Sequence, residues 1–159
     1  MTFQWPAGKQ TEFSLDLGGL LCGDEFDNDI FMAECKKYST PADQGTHYLS
    51  YLAKCYVMLS QQPEAAEHFM WITWCPFNVN DWNKLLTEGW VARAVEKHGK
   101  DIFGDVTSEE AESFTDPEVV KKVAERLWMI VLSDKQEALV ITREHRALIQ
   151  HHEVMGGVR

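Results

Sequence analysis

The chain is short of positive charge. Fifteen Lys and Arg stand against 25 Asp and Glu, giving a formal net charge of −10. That balance disfavours a protein that holds nucleic acid through a broadly basic surface, so tight unaided DNA binding is not expected. The deficit is local, however. Residues 101–118 carry Asp101, Asp105, Glu109, Glu110, Glu112, Asp116 and Glu118 with no Lys or Arg, and read as a solvated acidic connector. No run of 18 apolar residues exists, so no transmembrane helix is expected. The opening MTFQWPAGKQ lacks the apolar centre of a signal peptide, and a cytoplasmic location is expected. Cysteine is sparse: Cys22, Cys35, Cys55 and Cys75 form no C-x-x-C pair. Neither a disulfide framework nor a zinc knuckle is expected, leaving four buried or half-buried thiols. Internal repeats and low-complexity tracts are missing too.

What is present suits one compact domain. The 159 residues are 45% hydrophobic and 25% charged, enough to bury a core without staples. Residues 11–21 alternate apolar Phe13, Leu15 and Leu17 with Ser14, Asp16 and Gly18, a strand pattern. A polar turn follows at 22–28, then an apolar strand over 29–39, so the two strands form a hairpin. Residues 3–6 allow one short strand ahead of it. Thr40 as N-cap, with Pro41 at the first helical position, predicts a helix to about residue 60 that Pro63 ends. Residues 68–77 read as a buried strand. A second helix is expected from a cap at Asn80 or Asp81, with Trp82, Leu85, Leu86 and Trp90 on its apolar side and Gly99 at its end. Residues 100–116 form the connector, with Thr107 and Glu110 available as a capping box. Asp116-Pro117 begins another helix. Short strands are expected at 128–132 and 138–142 around a turn at 133–137, and a last helix at 143–154. The expected architecture is α/β: a mixed sheet flanked by helices, with a core over about 11–99 and a C-terminal α/β extension over 117–159.

The chemistry concentrates on the hairpin. Glu34 and Lys36 are two apart in a strand and point to one face, with Cys35 on the other. Folding about the turn near Glu25 or Phe26 brings Asp16 opposite Glu34, or within one residue of it. Facing side chains of an antiparallel pair lie about 4.5–5.5 Å apart. Two carboxylates so placed repel, and a hard cation such as Mg²⁺ relieves the repulsion while keeping waters and accepting phosphate oxygens. Lys36 can hold an attacking water or neutralise charge on a transferring phosphoryl group. The competing reading is an ordinary cross-strand salt bridge on a surface hairpin. His145, His151 and His152 complete no metal spacing and read as solvated, and the six Trp residues read as core.

The motif FSLDLGG followed by FMAECKKYS resembles the PD-(D/E)xK nuclease superfamily, with its restriction-endonuclease-like fold. Gln44-Gly45-Thr46-His47-Tyr48 is similar to the Q-x-x-x-Y element of the RecB-like branch. The resemblance covers about residues 11–77, and a helix that the family usually places ahead of the hairpin has no counterpart here. Either that helix is dispensable, or a partner supplies it, or the chain is a piece of a larger protein. The resemblance implies Asp16, Glu34 and the backbone carbonyl of Cys35 as ligands of Mg²⁺ or Mn²⁺, and Lys36 as the catalytic lysine. It places Gln44 and Tyr48 beside them. Lys37, Gln44, His47 and Tyr48 are then the expected substrate contacts; Lys54 is open to a nucleic-acid backbone contact, with an ordinary solvated charge as the commoner reading. The implied activity is phosphodiester hydrolysis, on DNA rather than RNA, leaving a 5′-phosphate and a 3′-hydroxyl, in restriction, repair or defence against foreign DNA. A homodimer or a larger assembly is left open. The rival function is a nuclease-like interaction or scaffold module that no longer cuts.

Overall fold

In the computed structural model, residues 2–7, 12–38, 40, 43–137 and 142–156 are described. Two short strands, β1 (Phe3–Gln4) and β2 (Glu12–Phe13), pair antiparallel and stack Phe3 on Phe13. The main sheet has four strands in the order β3 (Leu17–Leu20), β4 (Ile30–Lys36), β5 (His68–Thr73) and β6 (Leu127–Val131). β3 and β4 form the expected antiparallel hairpin; β4, β5 and β6 run parallel. The chain is therefore a mixed α/β protein, its sheet flanked by helices. The strand read over 11–21 is broken at residues 14–16, so Asp16 sits at the mouth of the hairpin rather than inside a ladder.

Helix α1 (Gln44–Gln61) connects the parallel strands β4 and β5. Its Tyr48 and Tyr51 rings pack on Trp71 of β5, at centroid distances of 5.2 and 5.3 Å, and Tyr48 also meets Phe77. Tyr48, Tyr51, Leu52, Met58, Phe69, Trp71 and Phe77 are each almost wholly buried, so the core lies between α1 and one face of the sheet. Facing residues of neighbouring strands share a face, so Met32, Glu34 and Lys36 lie on the same side as Phe69, Trp71 and Thr73. The active-site candidates therefore look toward α1, not toward the half-exposed opposite face of Phe31, Met70, Ile72 and Ile130.

Three expected boundaries move. Helix α1 begins at Gln44, not just after Thr40; Asp43 precedes it in the left-handed conformation, and the expected Pro41 lies outside the described residues. The helix expected from Asn80 or Asp81 to Gly99 is two elements: a 3₁₀ segment (Val79–Lys84) and α2 (Glu88–Lys97). Gly99 opens the next helix, α3 (Gly99–Phe103), instead of ending the last. A side chain there would run into Ala111 of α4 (Ser108–Phe114), its Cβ only 2.7 Å from that methyl, so glycine permits the close crossing.

The acidic connector is mostly these two helices. Thr107 and Glu110 form the expected capping box. The acids of 109–112 are exposed while Ile102 and Ala111 are buried, so sparse apolar residues suffice to dock short helices. Asp116 caps α5 (Pro117–Glu125) as expected, its carboxylate accepting from the Glu118 amide, while its own amide donates to the Tyr56 hydroxyl. The expected turn at 133–137 carries a short helix, α6 (Asp134–Glu137), and the strand expected over 138–142 lies outside the described residues except for Thr142. The last helix, α7, runs Arg143–Gly156.

Candidate active site

The register of the hairpin places the chemistry. Leu17 faces Ala33 across β3 and β4, so the next step out sets Asp16 against Glu34. Asp16 leaves the ladder at that point, and its carboxylate takes over a ladder bond: the Cys35 amide donates to Asp16 Oδ2 at 2.8 Å. The amide and carbonyl of one strand residue point to the same side. The Cys35 carbonyl therefore faces the edge that β3 has vacated, beside Asp16.

Both carboxylates meet on one ammonium. Lys36 Nζ lies 2.7 Å from Glu34 Oε1 and 3.6 Å from Asp16 Oδ2. Lys54, reaching over from α1, adds a second cation 3.8 Å from Glu34 Oε1, and it donates to the Ser14 carbonyl at 3.3 Å. Its spacing from Glu34 in sequence carries no signal of this contact; only the packing of α1 on the sheet brings it in. Glu34 is 9% exposed and Asp16 47%, so the pair runs from the interior out to solvent.

Burial works against the charged form of Lys36, but the hydrogen bond with Glu34 and the negative charges of Glu34 and Asp16 outweigh it and hold its pKa above the ordinary lysine value. The Cys35 thiol is pushed up, by burial first and then by Asp16 and Glu34, and stays protonated. It is no nucleophile at neutral pH.

Glu34 Oε2 is buried with no hydrogen-bond partner among the described residues. Two neighbours share that condition: the Tyr51 hydroxyl, against the Cys55 thiol, and the indole N–H of Trp71, which faces Glu34 across β4 and β5. Buried polar atoms are seldom left unpaired without water or an ion. The free oxygen suits a cation, and two carboxylates with one carbonyl suit Mg²⁺ or Mn²⁺, which retain waters. Among the described residues no group of three or more His, Cys, Asp and Glu is placed to hold a metal.

The remaining candidates separate into two places. Gln44 and Tyr48 are fully buried. Gln44 Oε1 accepts from the Thr73 hydroxyl at 2.8 Å and its Nε2 donates to the Cys75 carbonyl at 3.0 Å; the Tyr48 hydroxyl donates to the Leu85 carbonyl at 2.8 Å. Gln44 thus pins the end of β5 to the start of α1, and neither side chain reaches the surface. Lys37 and His47 are exposed. Lys37 lies over the Trp74 ring, 5.8 Å from its centroid, and His47 stacks on Tyr38 at 5.8 Å. His145, His151 and His152 are exposed on α7, as expected.

No family model, characterised protein or solved structure matches the chain. No helix among the described residues is long and apolar enough to cross a membrane.

Proposed function

We propose that the chain is a divalent-metal-dependent nuclease of the PD-(D/E)xK type, acting on DNA. The observation that carries this reading is the convergence of Asp16 and Glu34 on Lys36 at the open end of the β3–β4 hairpin. Mg²⁺ or Mn²⁺ would be held by Asp16, Glu34 and the Cys35 carbonyl, and would polarise a phosphoryl oxygen and a water. Lys36, kept as an ammonium, neutralises the charge that gathers on phosphorus during attack. Asp16, the exposed member, offers the metal its route in. The order of the sheet supports the resemblance: an antiparallel hairpin bearing D and E-x-K, then a helix, then a parallel strand.

One observation favours the rival, a nuclease-like interaction module that does not cut: Lys36 and Lys54 already balance Glu34. Cleavage separates the two. Linear, circular and single-stranded DNA, with RNA alongside, are incubated with the protein and Mn²⁺ or Mg²⁺. The nuclease reading expects metal-dependent products with 5′-phosphates, and a loss of at least about a hundredfold in Lys36→Ala with the fold retained. Undiminished cutting by Lys36→Ala removes Lys36 from the mechanism. No cutting by the intact protein under any of these conditions leaves the module reading. A cytoplasmic setting, in restriction, repair or defence, follows only by analogy with the resemblance.

A further inference from the structure

Beyond the candidate site, the carboxyl ends of β4, β5 and β6 surround a cavity of about 510 Å³ lined by Lys37, Tyr38, Trp74, Cys75 and Asp134. Parallel strands of α/β proteins gather ligands at this end, and the volume suits a small organic group. The cavity begins one residue past Lys36, the last residue of β4. Its contents are unlike a core. Trp74 is only half-buried, and its indole N–H is buried without a hydrogen-bond partner among the described residues. The Lys37 ammonium sits over the ring. Tyr38 lines the cavity, and His47 stacks on its ring at 20° between planes. Trp74, whose apolar-periodic segment predicts core packing, instead combines a half-buried ring with a neighbouring cation.

We infer that this cavity receives an unpaired nucleobase of the strand whose phosphate lies at Asp16, Glu34 and Lys36, so that single-stranded rather than duplex DNA is the substrate. The inference rests on the nuclease reading for the position of the phosphate. Each element has a partner in a nucleotide. The indole ring offers a stacking surface to any base. Lys37 serves the phosphate that follows. Asp134 keeps phosphates from filling the cavity and accepts from an exocyclic amine. A base inside a duplex would first have to leave its stack, a cost an unpaired base does not carry. Charge acts in the same direction. A duplex presents about one charge per 1.7 Å of axis and a single strand about half that density, so a protein of net charge −10 repels the duplex more.

The test is fluorescence anisotropy of a labelled 12-nucleotide strand, alone and as a duplex, with Ca²⁺ in place of Mg²⁺. The intact protein should bind the single strand at least about tenfold more tightly than the duplex. Trp74→Ala should lose about tenfold on the single strand and nothing on the duplex, and Trp74→Phe should recover most of the loss. Equal affinity for the two forms, or an unchanged Trp74→Ala, overturns the inference; so does a Trp74→Phe protein as weak as Trp74→Ala. Cleavage measured in parallel with Mn²⁺ separates the two proposals. Trp74-dependent single-strand binding without any cutting keeps the pocket and discards the nuclease. Cutting that is indifferent to strandedness and to Trp74 keeps the nuclease and discards the pocket.

Discussion

Replacing Glu34 by Gln tests whether the buried carboxylate serves the fold or the chemistry. Glu34 is 9% exposed and faces two ammonium groups, at 2.7 Å and 3.8 Å. Removing one partner of a fully enclosed ion pair destabilises by about 3–5 kcal/mol. Lys36 and Lys54 are not enclosed, being 21% and 18% exposed, so their charges stay hydrated when Glu34 is neutralised. Gln keeps the shape and one acceptor oxygen for Lys36. The net cost should therefore fall to about 1–2 kcal/mol, between the worth of an exposed ion pair and that of a hydrogen bond to a charged group. For a chain of this length that is about 2–8 °C of melting temperature. A bound cation reverses the comparison. At a hundredfold excess over its Kd, Mn²⁺ should add about 2.7 kcal/mol to the intact protein, raising its melting point by about 5–10 °C. Glu34→Gln should lose most of that gain. The assay is differential scanning fluorimetry of both proteins in chelator and in a Mn²⁺ series. A Glu34→Gln protein that is modestly less stable in chelator but gains as much from Mn²⁺ as the parent would refute the assignment of Glu34 as a ligand. A loss beyond about 4 kcal/mol in chelator would instead make Glu34 a structural ion pair.

Two further outcomes follow from the packing. Gln44→Ala leaves the Thr73 hydroxyl and the Cys75 carbonyl without Gln44 and opens a void at a fully buried position, so it should destabilise by about 2–4 kcal/mol in urea titration. A variant that loses activity at full stability would restore Gln44 to the chemistry. Alkaline pH should weaken the fold. Burial first, then neighbouring negative charge, lifts the Tyr51 hydroxyl well above 10.0, and burial chiefly lifts the Cys55 thiol above 9.0. Both keep their protons in the native state after the unfolded chain has released them. Stability is thus whole below the unfolded values and falls from about pH 9 upward, by about 1.4 kcal/mol per pH unit for each group titrating only in the unfolded chain. Urea midpoints at pH 7, 9 and 10.5 measure this, and an unchanged midpoint at pH 10.5 would contradict it.

The site was legible wherever local rules decide geometry. The polar turn between Leu20 and Ile30 marks the hairpin, and the pairing of Leu17 with Ala33 brings Asp16 to Glu34, although the alternation of Phe13, Leu15 and Leu17 does not continue as one strand. The capping box at Thr107 and the Asp116-Pro117 start were equally local. What failed to show depended on distant packing. Pro41 after Thr40 gave a helix start that the described structure moves to Gln44. The acids of 101–118 masked two short helices, because their docking rests on Ile102 and Ala111 and not on any periodic stripe. Gln44 and Tyr48 do share a helix face, as their spacing requires, but that face is the one buried against β5 and Leu85. Lys54 reaches Glu34 through a long side chain from another element, a contact for which no spacing rule exists.

The proposed activity needs one cation shared by the Asp16 and Glu34 side chains. Calorimetric titration of the intact protein with Mn²⁺ should show a single binding event, and Asp16→Asn should weaken it at least about tenfold while its circular dichroism stays the same. Heat of binding that is missing from the intact protein, or an affinity that Asp16→Asn leaves untouched, would contradict it.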